Sequence, residues 1–297
     1  MKPLILSLNE EHPLCKVVAE KLGFEIGKIV LHNFPDEETY IKFEALLKNR
    51  EVIIFNSLNH PNQKILPLLF AVETAKSLGA KRVGLCAPYL AYMRQDKRFK
   101  PGEGVTSDYF AKLLSNYLDW LVTVDPHLHR RHRLSEIYSI PNTVLHAAHE
   151  VSTWIANNIK NPVLIGPDSE SEQWVSKIAK VAAIPYLILE KIRFSDRDVK
   201  VSIPKIEAFE NHTPVLVDDI ISTAQTMLET VNHLKQINMK PPVCIGIHAV
   251  FSENAYESLI KSGVSKVVTC NSIPHSTNQI DLSTIIIEGI QHQLGGV

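Results

Sequence analysis

Short apolar runs alternate with longer amphipathic segments along the whole chain. The apolar runs are rich in Val, Ile and Leu and have the length of buried strands, whereas the segments between them carry helical periodicity. This alternation is typical of proteins in which helices flank a mostly parallel sheet. The pattern therefore predicts an α/β fold of the doubly wound kind.

The same order of strands and helices is predicted in both halves of the chain. In the first half the predicted strands are Leu4–Leu8, Lys28–His32, Val52–Asn56, Arg82–Ala87 and Trp120–Val124. The predicted helices there are Leu14–Leu22, Ile65–Leu78 and Ser107–Asn116. In the second half the predicted strands are Val163–Gly166, Tyr186–Leu189, Val215–Val217, Val243–Ala249 and Lys266–Thr269. The predicted helices there are Glu172–Ala182, Thr226–Leu234 and Ala255–Ser262.

A division into two domains follows from the length and from one turn signal. With 297 residues, the chain is long enough for two domains that each bury their own core. Turn-forming Pro141 and Asn142 follow the last predicted strand of the first half. We therefore predict two tandem domains, residues 1–143 and residues 144–297.

Composition indicates which kinds of partner and which cellular compartment to expect. The 31 basic and 32 acidic side chains leave a net charge of -1, which gives no general attraction to nucleic acid or to membrane lipid. The four cysteines are scattered without a CxxC pair, as expected of reduced core thiols. No apolar run approaches the roughly 18 residues of a membrane span. We expect a cytoplasmic protein that meets any anionic ligand through a local site.

The segment Val215–Met227 places two carboxylates and several small polar residues after a predicted buried strand. In parallel sheets such strand–loop–helix turns lie at the edge where ligands bind. Free amides at the start of a helix, with the Thr223 and Thr226 hydroxyls, suit a phosphate, and Asp218 and Asp219 suit sugar hydroxyls. The alternative is that the two aspartates only stabilise the turn.

Two further features suit an anionic nucleotide. Arg94 begins a basic cluster with Lys97, Arg98 and Lys100, and its planar guanidinium matches phosphate oxygens. Phe34 offers an apolar face for a purine. The alternatives are a solvated or interface Arg94 and a Phe34 that belongs to the core.

Three polar segments follow predicted strands later in the chain. His127 and Asp168 each end an apolar strand, so an imidazole and a carboxylate are candidates to share one Mg²⁺ with nucleotide phosphates. Spacing alone does not separate His127 from His129 and His132. Lys191 and Arg193 stand in a polar segment that is either a charged mobile lid or a solvated hairpin.

Several of these segments resemble motifs of one family. Asp218–Thr226 resembles the ribose-phosphate loop of the type I phosphoribosyltransferase fold. Asn33–Tyr40 is similar to the F-x-D-G-E segment, and Pro88–Arg98 to the P-Y-x-x-Y-x-R-Q-D segment, of ribose-phosphate pyrophosphokinases. Val124–His127 and Glu190–Arg193 resemble its V-D-x-H motif and its mobile catalytic loop. Gly166–Asp168, Phe251–Ser252 and Asn271–Pro274 extend the likeness to nearly the whole chain.

This resemblance implies a reaction, a fold and a set of site residues. The fold implied is two tandem type I phosphoribosyltransferase domains, the first for ATP binding and oligomerisation and the second for ribose-phosphate binding. The reaction implied is transfer of diphosphate from Mg-ATP to ribose 5-phosphate, which yields phosphoribosyl pyrophosphate (PRPP) and AMP.

The residue roles implied by the resemblance are as follows. Lys191 and Arg193 are expected to be catalytic, and His127 and Asp168 to bind Mg²⁺. The expected ATP contacts are Phe34, Asp36, Glu38, Arg94 and Gln95. The expected ribose 5-phosphate contacts are Asp218, Asp219, Thr223, Ala224, Gln225 and Thr226. The family also implies a homo-oligomer in which Phe34, Asp36 and Glu38 complete the ATP site of a neighbouring subunit.

The chain departs from the family pattern at three places. Ala224 and Gln225 stand where the loop normally reads T-G-G-T, and Glu37 replaces the glycine of F-x-D-G-E. Glycine permits positive φ and close approach of the backbone to phosphate, so Gln225 is expected to crowd the site or to contact the ligand through its amide. Leu128, His129 and Arg130 are also unusual after the motif histidine.

Two other functions fit parts of the sequence. A non-catalytic regulatory paralogue of a PRPP synthetase would explain the altered loop, although it has no need of the full set of polar residues. A phosphoribosyltransferase that consumes PRPP would share the second-half loop but not the first-half ATP segments.

Overall fold

The structure, a computed structural model, describes residues 1–8, 12–167, 171–193, 199–202 and 206–295. It separates into two compact units, of which the first comprises Met1–His146 with Ser283–Val297 and the second Ala147–Leu282.

The first unit is built on a six-stranded parallel sheet. Its strands are β1 (Leu4–Ser7), β2 (Glu25–Ile26), β3 (Ile29–Asn33), β4 (Thr39–Phe43), β5 (Glu51–Phe55), β6 (Arg82–Ala87), β7 (Trp120–Val124) and β8 (Asn142–Leu145). Its first three helices are α1 (Pro13–Leu22), α2 (Pro61–Ser77) and α3 (Thr106–Tyr117). The sheet order is β2-β1-β5-β6-β7-β8. β3 and β4 form a separate antiparallel hairpin, so the predicted strand at Lys28–His32 exists but lies outside the main sheet.

The second unit repeats this plan. Its strands are β9 (Pro162–Gly166), β10 (Tyr186–Ile188), β11 (Glu190–Arg193), β12 (Val199–Ser202), β13 (Thr213–Ile221), β14 (Val243–Ala249), β15 (Lys266–Cys270) and β16 (Asn278–Ile280). Its helices are α4 (Ala148–Asn158), α5 (Glu172–Ala182), α6 (Gln225–Gln236) and α7 (Ala255–Lys261). The parallel sheet has the order β10-β9-β13-β14-β15-β16, and β11 and β12 form the antiparallel hairpin.

The two sheets therefore have the same topology. In each unit the second strand lies outside the first, a hairpin follows it, and the later strands continue on the other side in chain order. The direction of winding thus reverses between β1 and β5, and again between β9 and β13. Ligands of open α/β sheets bind at the carboxyl ends of strands beside such a reversal.

The last helix, α8 (Ser283–Gln293), belongs to the first unit. Lys21 of α1 donates a hydrogen bond to Ser283 Oγ over 2.8 Å, and Gln293 Nε2 donates to Thr143 Oγ1 of β8 over 2.7 Å. Gly289 lets the helix approach the sheet, since a Cβ there would lie 2.9 Å from Val122 Cγ1. The division thus differs from the predicted 1–143 and 144–297, in which residues 283–297 belong to the second domain.

Helix α4 stands in the corresponding place of the second unit. It follows β8 in the chain but belongs to the second unit, where Ser152 Oγ donates to the Ile178 carbonyl of α5. Each unit therefore contains one helix that follows the last strand of the other unit in the chain.

Candidate active site

Strand β13 carries the two candidate sugar-binding aspartates. The prediction ended this strand at Val217, but it continues to Ile221 because Asp218 pairs with Gly246 and Ile220 with His248 of β14. Asp219 is only 3% exposed, whereas Asp218 is half-buried and its Oδ1 accepts a hydrogen bond from the Asp219 amide over 3.0 Å. The carboxylates thus belong to a paired strand rather than to the loop that follows it.

The loop after β13 retains a glycine-like backbone without glycine. Ala224 has φ 59° and ψ 10° and immediately precedes α6. Its methyl group is buried in the core of the second unit. The side-chain amide of Gln225 donates from Nε2 to Glu229 Oε1, one helical turn further on, over 3.2 Å.

Neighbouring backbone holds this loop in place. The Phe251 amide donates to the Ile221 carbonyl over 2.8 Å, and the Ser252 amide donates to the Ser222 carbonyl over 3.1 Å. The first amides of a helix have no intrahelical acceptor and carry partial positive charge. Among the described residues no side chain caps the start of α6, so these amides are available to an anion.

A cluster of aromatic rings that was not predicted lies on the connections that follow β14 and β15. His275 packs with its ring centroid 4.7 Å from that of Phe251 and 5.3 Å from that of Tyr256. Burial lowers the pKa of His275, and Glu257 opposes that effect. Only Phe251 carried a signal in the sequence, because Tyr256 and His275 match no motif pattern and meet through the fold.

The candidate catalytic residues stand on the hairpin of the second unit. Lys191 lies opposite Val201, and Arg193 opposite Val199, in the antiparallel pair β11–β12. This antiparallel pairing is compatible with both forms considered for the polar segment, the charged lid and the solvated hairpin. Asp168, the candidate metal ligand, lies outside the described residues.

The matching hairpin of the first unit presents the candidate adenine-stacking residue. The Phe34 amide donates to the Glu38 carbonyl over 2.7 Å, and Asp36 Oδ1 accepts from the Glu38 amide over 3.4 Å. Glu37 has φ 69° at the tip. The side chain of Phe34 is 47% exposed, which excludes the core alternative for this residue.

The connection after β6 carries Arg94 and Gln95. Arg94 is exposed, which is compatible with an anion-binding side chain and with a solvated one. Gln95 is fixed at the start of α3, where its Oε1 accepts from Thr106 Oγ1 over 3.0 Å and its carbonyl accepts from the Ser107 amide over 3.3 Å.

His127 follows β7 at the same edge of the sheet as Arg94. Its ring is half-buried and stacks against His129 with a centroid distance of 6.2 Å. The nearby Asp125 is buried and pairs with His146 Nδ1 after β8, over 2.7 Å. Within the described part of the chain no three His, Cys, Asp or Glu side chains form a metal-binding group.

Lys64 of α2 was not singled out from the sequence. Its Nζ donates to the Ser57 carbonyl and to Asn59 Oδ1, each over 2.7 Å, and burial lowers its pKa to about 8. It lies at the carboxyl end of β5, the strand beside β6. The basic residues Lys64 and Arg94 and the imidazole of His127 therefore follow three adjacent strands, although no sequence motif links Lys64 to the others.

Helices of bilayer-spanning length and apolarity do not occur among the described residues.

Family models match both halves of the chain. The model for the N-terminal domain of ribose phosphate pyrophosphokinase matches residues 3–117, and the model for the phosphoribosyl transferase domain matches residues 133–283. The fold predicted from the motifs is therefore confirmed.

Curated relatives match over nearly their full length. A protein named ribose-phosphate pyrophosphokinase 2 from Archaeoglobus fulgidus is 32% identical over 93% of this chain and 96% of its own. A ribose-phosphate pyrophosphokinase from Methanopyrus kandleri is 28% identical over 98% of this chain and 100% of its own.

A solved structure shares the fold of the entire chain. The crystal structure of phosphoribosylpyrophosphate synthetase from Mycobacterium smegmatis superposes with a TM-score of 0.86, at 23% identity, over 99% of both chains. The family models and the archaeal relatives together show that the chain belongs to the ribose-phosphate pyrophosphokinase family.

Proposed function

We propose that this chain is an enzyme that transfers the diphosphate of Mg-ATP to the anomeric hydroxyl of ribose 5-phosphate, giving PRPP and AMP. One observation carries the proposal further than family membership does. Ala224 holds the loop in the left-handed conformation that the family's glycine would permit, so the altered sequence does not imply an altered backbone.

The β13–α6 loop is proposed as the ribose 5-phosphate site. The amides at the start of α6 and the Thr223 and Thr226 hydroxyls would bind the phosphate. Asp218 and Asp219 would accept hydrogen bonds from the ribose hydroxyls. Ala224 and Gln225 would contribute backbone only, since the Gln225 amide is directed along the helix.

The proposed ATP contacts are those of the first unit. Arg94 and Gln95 would bind the nucleotide of their own subunit, and Phe34, Asp36 and Glu38 that of a neighbour. Exposed Phe34 supports this arrangement because an aromatic face left open at a hairpin tip is suited to stacking on a base. We therefore propose a homo-oligomer with shared ATP sites, working in the cytoplasm.

A magnesium ion is proposed to accompany ATP. Mg²⁺ bound to nucleotide phosphates keeps several waters and takes only one or two protein ligands, usually carboxylates. His127 and Asp168 would hold the ion, and its charge would offset that of the phosphates.

In the proposed reaction the anomeric oxygen of ribose 5-phosphate attacks the β-phosphorus of ATP. The bond from the β-phosphorus to the oxygen that bridges to the α-phosphorus breaks, and AMP leaves with that oxygen. The attacking hydroxyl loses its proton to solvent. Lys191 and Arg193 would stabilise the negative charge on the transferring oxygens, because positioning and electrostatics dominate phosphoryl transfer.

An assay of both products tests this proposal. Purified protein is incubated with ATP, magnesium and ribose 5-phosphate, and AMP and PRPP are quantified together. We expect equal amounts of both, and a rate lower by about 10²–10³-fold in Lys191→Ala, the cost of removing one transition-state donor. Lys160→Ala serves as a control, since this lysine belongs to no proposed site.

The outcomes separate the candidate functions. Formation of PRPP and AMP in equal amounts would establish the enzyme. A folded protein that binds ATP but forms neither product would contradict the proposal and support a regulatory paralogue.

A further inference from the structure

Arg130 belongs to the segment after His127 that departs from the family pattern. Its Nη1 donates to Asp96 Oδ1 over 2.9 Å, and the side chain of Asp96 is only 4% exposed. Asp96 directly follows Gln95 in the proposed ATP segment. A buried carboxylate depends on its partner far more than a surface carboxylate does. The unusual segment is thus anchored to the ATP segment through a buried charge.

Other contacts join the same two segments. The Arg130 guanidinium lies 5.2 Å from the ring centroid of Phe99, within cation–π range. Arg131 Nη2 donates to the Asp96 carbonyl over 3.4 Å and also to Asp108 of α3. The two arginines therefore hold both the side chain and the backbone of Asp96.

These contacts fix the geometry on which nucleotide binding would depend. Arg94 and Gln95 precede Asp96 without a break, and His127 lies three residues before Arg130. A movement of Asp96 would displace Gln95, and small displacements of binding groups have large effects on substrate positioning.

We propose that Arg130 is a positioning residue which, through Asp96, holds Arg94 and Gln95 in register with the loop that carries His127. The inference rests on the proposed function, because it assigns these residues to ATP. The inference also explains how the unusual Arg130 is compatible with the proposed function, because its charge is paired with Asp96.

Steady-state kinetics of Arg130→Ala, Arg130→Lys and Asp96→Asn test the inference, with Arg133→Ala as matched control. Arg133 is an exposed arginine three residues further along the chain. We expect Arg130→Ala to raise the KM for ATP at least about tenfold, and Arg130→Lys to restore part of the loss. The KM for ribose 5-phosphate should stay within about twofold of the wild type, because that ligand binds to other residues.

A double-mutant cycle separates positioning from direct contact. If Arg130 acts through Asp96, Arg130→Ala has little further effect on ATP binding in the Asp96→Asn background. An undiminished effect there, or an unchanged KM for ATP in Arg130→Ala, would overturn the inference. Asp96→Asn combined with Arg130→Gln removes both charges together, so the comparison remains possible if Arg130→Ala does not fold.

Calorimetric titration with Mg-ATP distinguishes this inference from the proposed function. If the wild-type protein binds ATP without forming PRPP, the proposed function fails while the effect of Arg130→Ala on the dissociation constant still tests the positioning role. No ATP binding by the wild type would overturn both.

Discussion

At the scale of single residues, the site loops accept backbone conformations that their side chains do not favour. Glu37 and Ala224, which stand at glycine positions of the family pattern, have φ of 69° and 59°. His60, which precedes α2 as Ala224 precedes α6, has φ 53°. A left-handed residue other than glycine costs roughly 1–2 kcal/mol. Ala224 offsets part of this cost by burying its methyl group, whereas Glu37 is exposed.

Replacing Glu37 by glycine should therefore stabilise the protein. We expect a gain of up to about 1 kcal/mol in the free energy of unfolding, because relief of the strain exceeds the greater chain entropy of glycine in the unfolded state. Denaturant titration measures the change. The same replacement at Lys42, an exposed residue within β4, should lower stability. A lower free energy of unfolding in Glu37→Gly would contradict the inference that the backbone at Glu37 is strained.

Side-chain partners were the least predictable part of the site. The sequence placed Asp125 beside His127, but the carboxylate pairs with His146 at the end of the adjacent strand. Asp96 likewise finds Arg130 across the fold. Such pairs join residues distant in sequence, so a motif can indicate a binding residue without indicating what holds it in position.

At the scale of elements, the central strands and the helices beside them followed from their apolar patterns. Arg82–Ala87, Trp120–Val124 and Val243–Ala249 have the predicted bounds, because fully buried parallel strands read as continuous apolar runs. The partner strand β4 was missed, since Glu37 removes the glycine signal of a hairpin turn. Strand β8 was missed because Pro141 and Asn142 resemble a linker.

The contact of β6 with β7 depends on one glycine. Gly84 pairs with Trp120, and a Cβ at Gly84 would lie 1.9 Å from the indole Cε2 atom. Gly84→Ala should therefore lower the free energy of unfolding by about 1–3 kcal/mol or more, as overpacking does. In a Trp120→Leu background the same change should cost less, because the ring is gone. Equal costs in both backgrounds, measured by denaturant titration, would argue against this packing.

At the scale of the whole molecule, the chain forms two similar units, and each contains one helix that follows the sheet of the other unit in the sequence. α8 follows the second sheet in the chain but belongs to the first unit, and α4 follows the first sheet but belongs to the second. Sequence periodicity indicated the repeated order of elements. It did not indicate the exchange, because neither α4 nor α8 was among the predicted helices, and an apolar helical face does not specify which sheet covers it.

Removal of Ser283–Val297 should destabilise the rest of the first unit, although residues 1–146 are distant from the cut in sequence. Loss of α8 uncovers Val122 and Leu145, which lie beside Gly289. We expect faster amide hydrogen exchange in β7 and β8, and no change in β14.

The measurement is hydrogen exchange followed by mass spectrometry of the truncated and full-length chains. Removal of residues 295–297 alone is the control, because these residues follow the end of α8. If exchange in β14 became faster to the same degree as in β7, α8 would stabilise both units, which would contradict the prediction.

The late position of α8 in the sequence also sets an order for folding during synthesis. The second unit is continuous from Ala147 to Leu282, so all of it has been synthesised before α8 is made. The first unit is translated first but waits for the final helix, on the order of ten seconds later at roughly 5–20 residues per second. A chain that stops before α8 would thus contain a complete second unit and an unfinished first one, whose uncovered sheet would be exposed to chaperones and proteases.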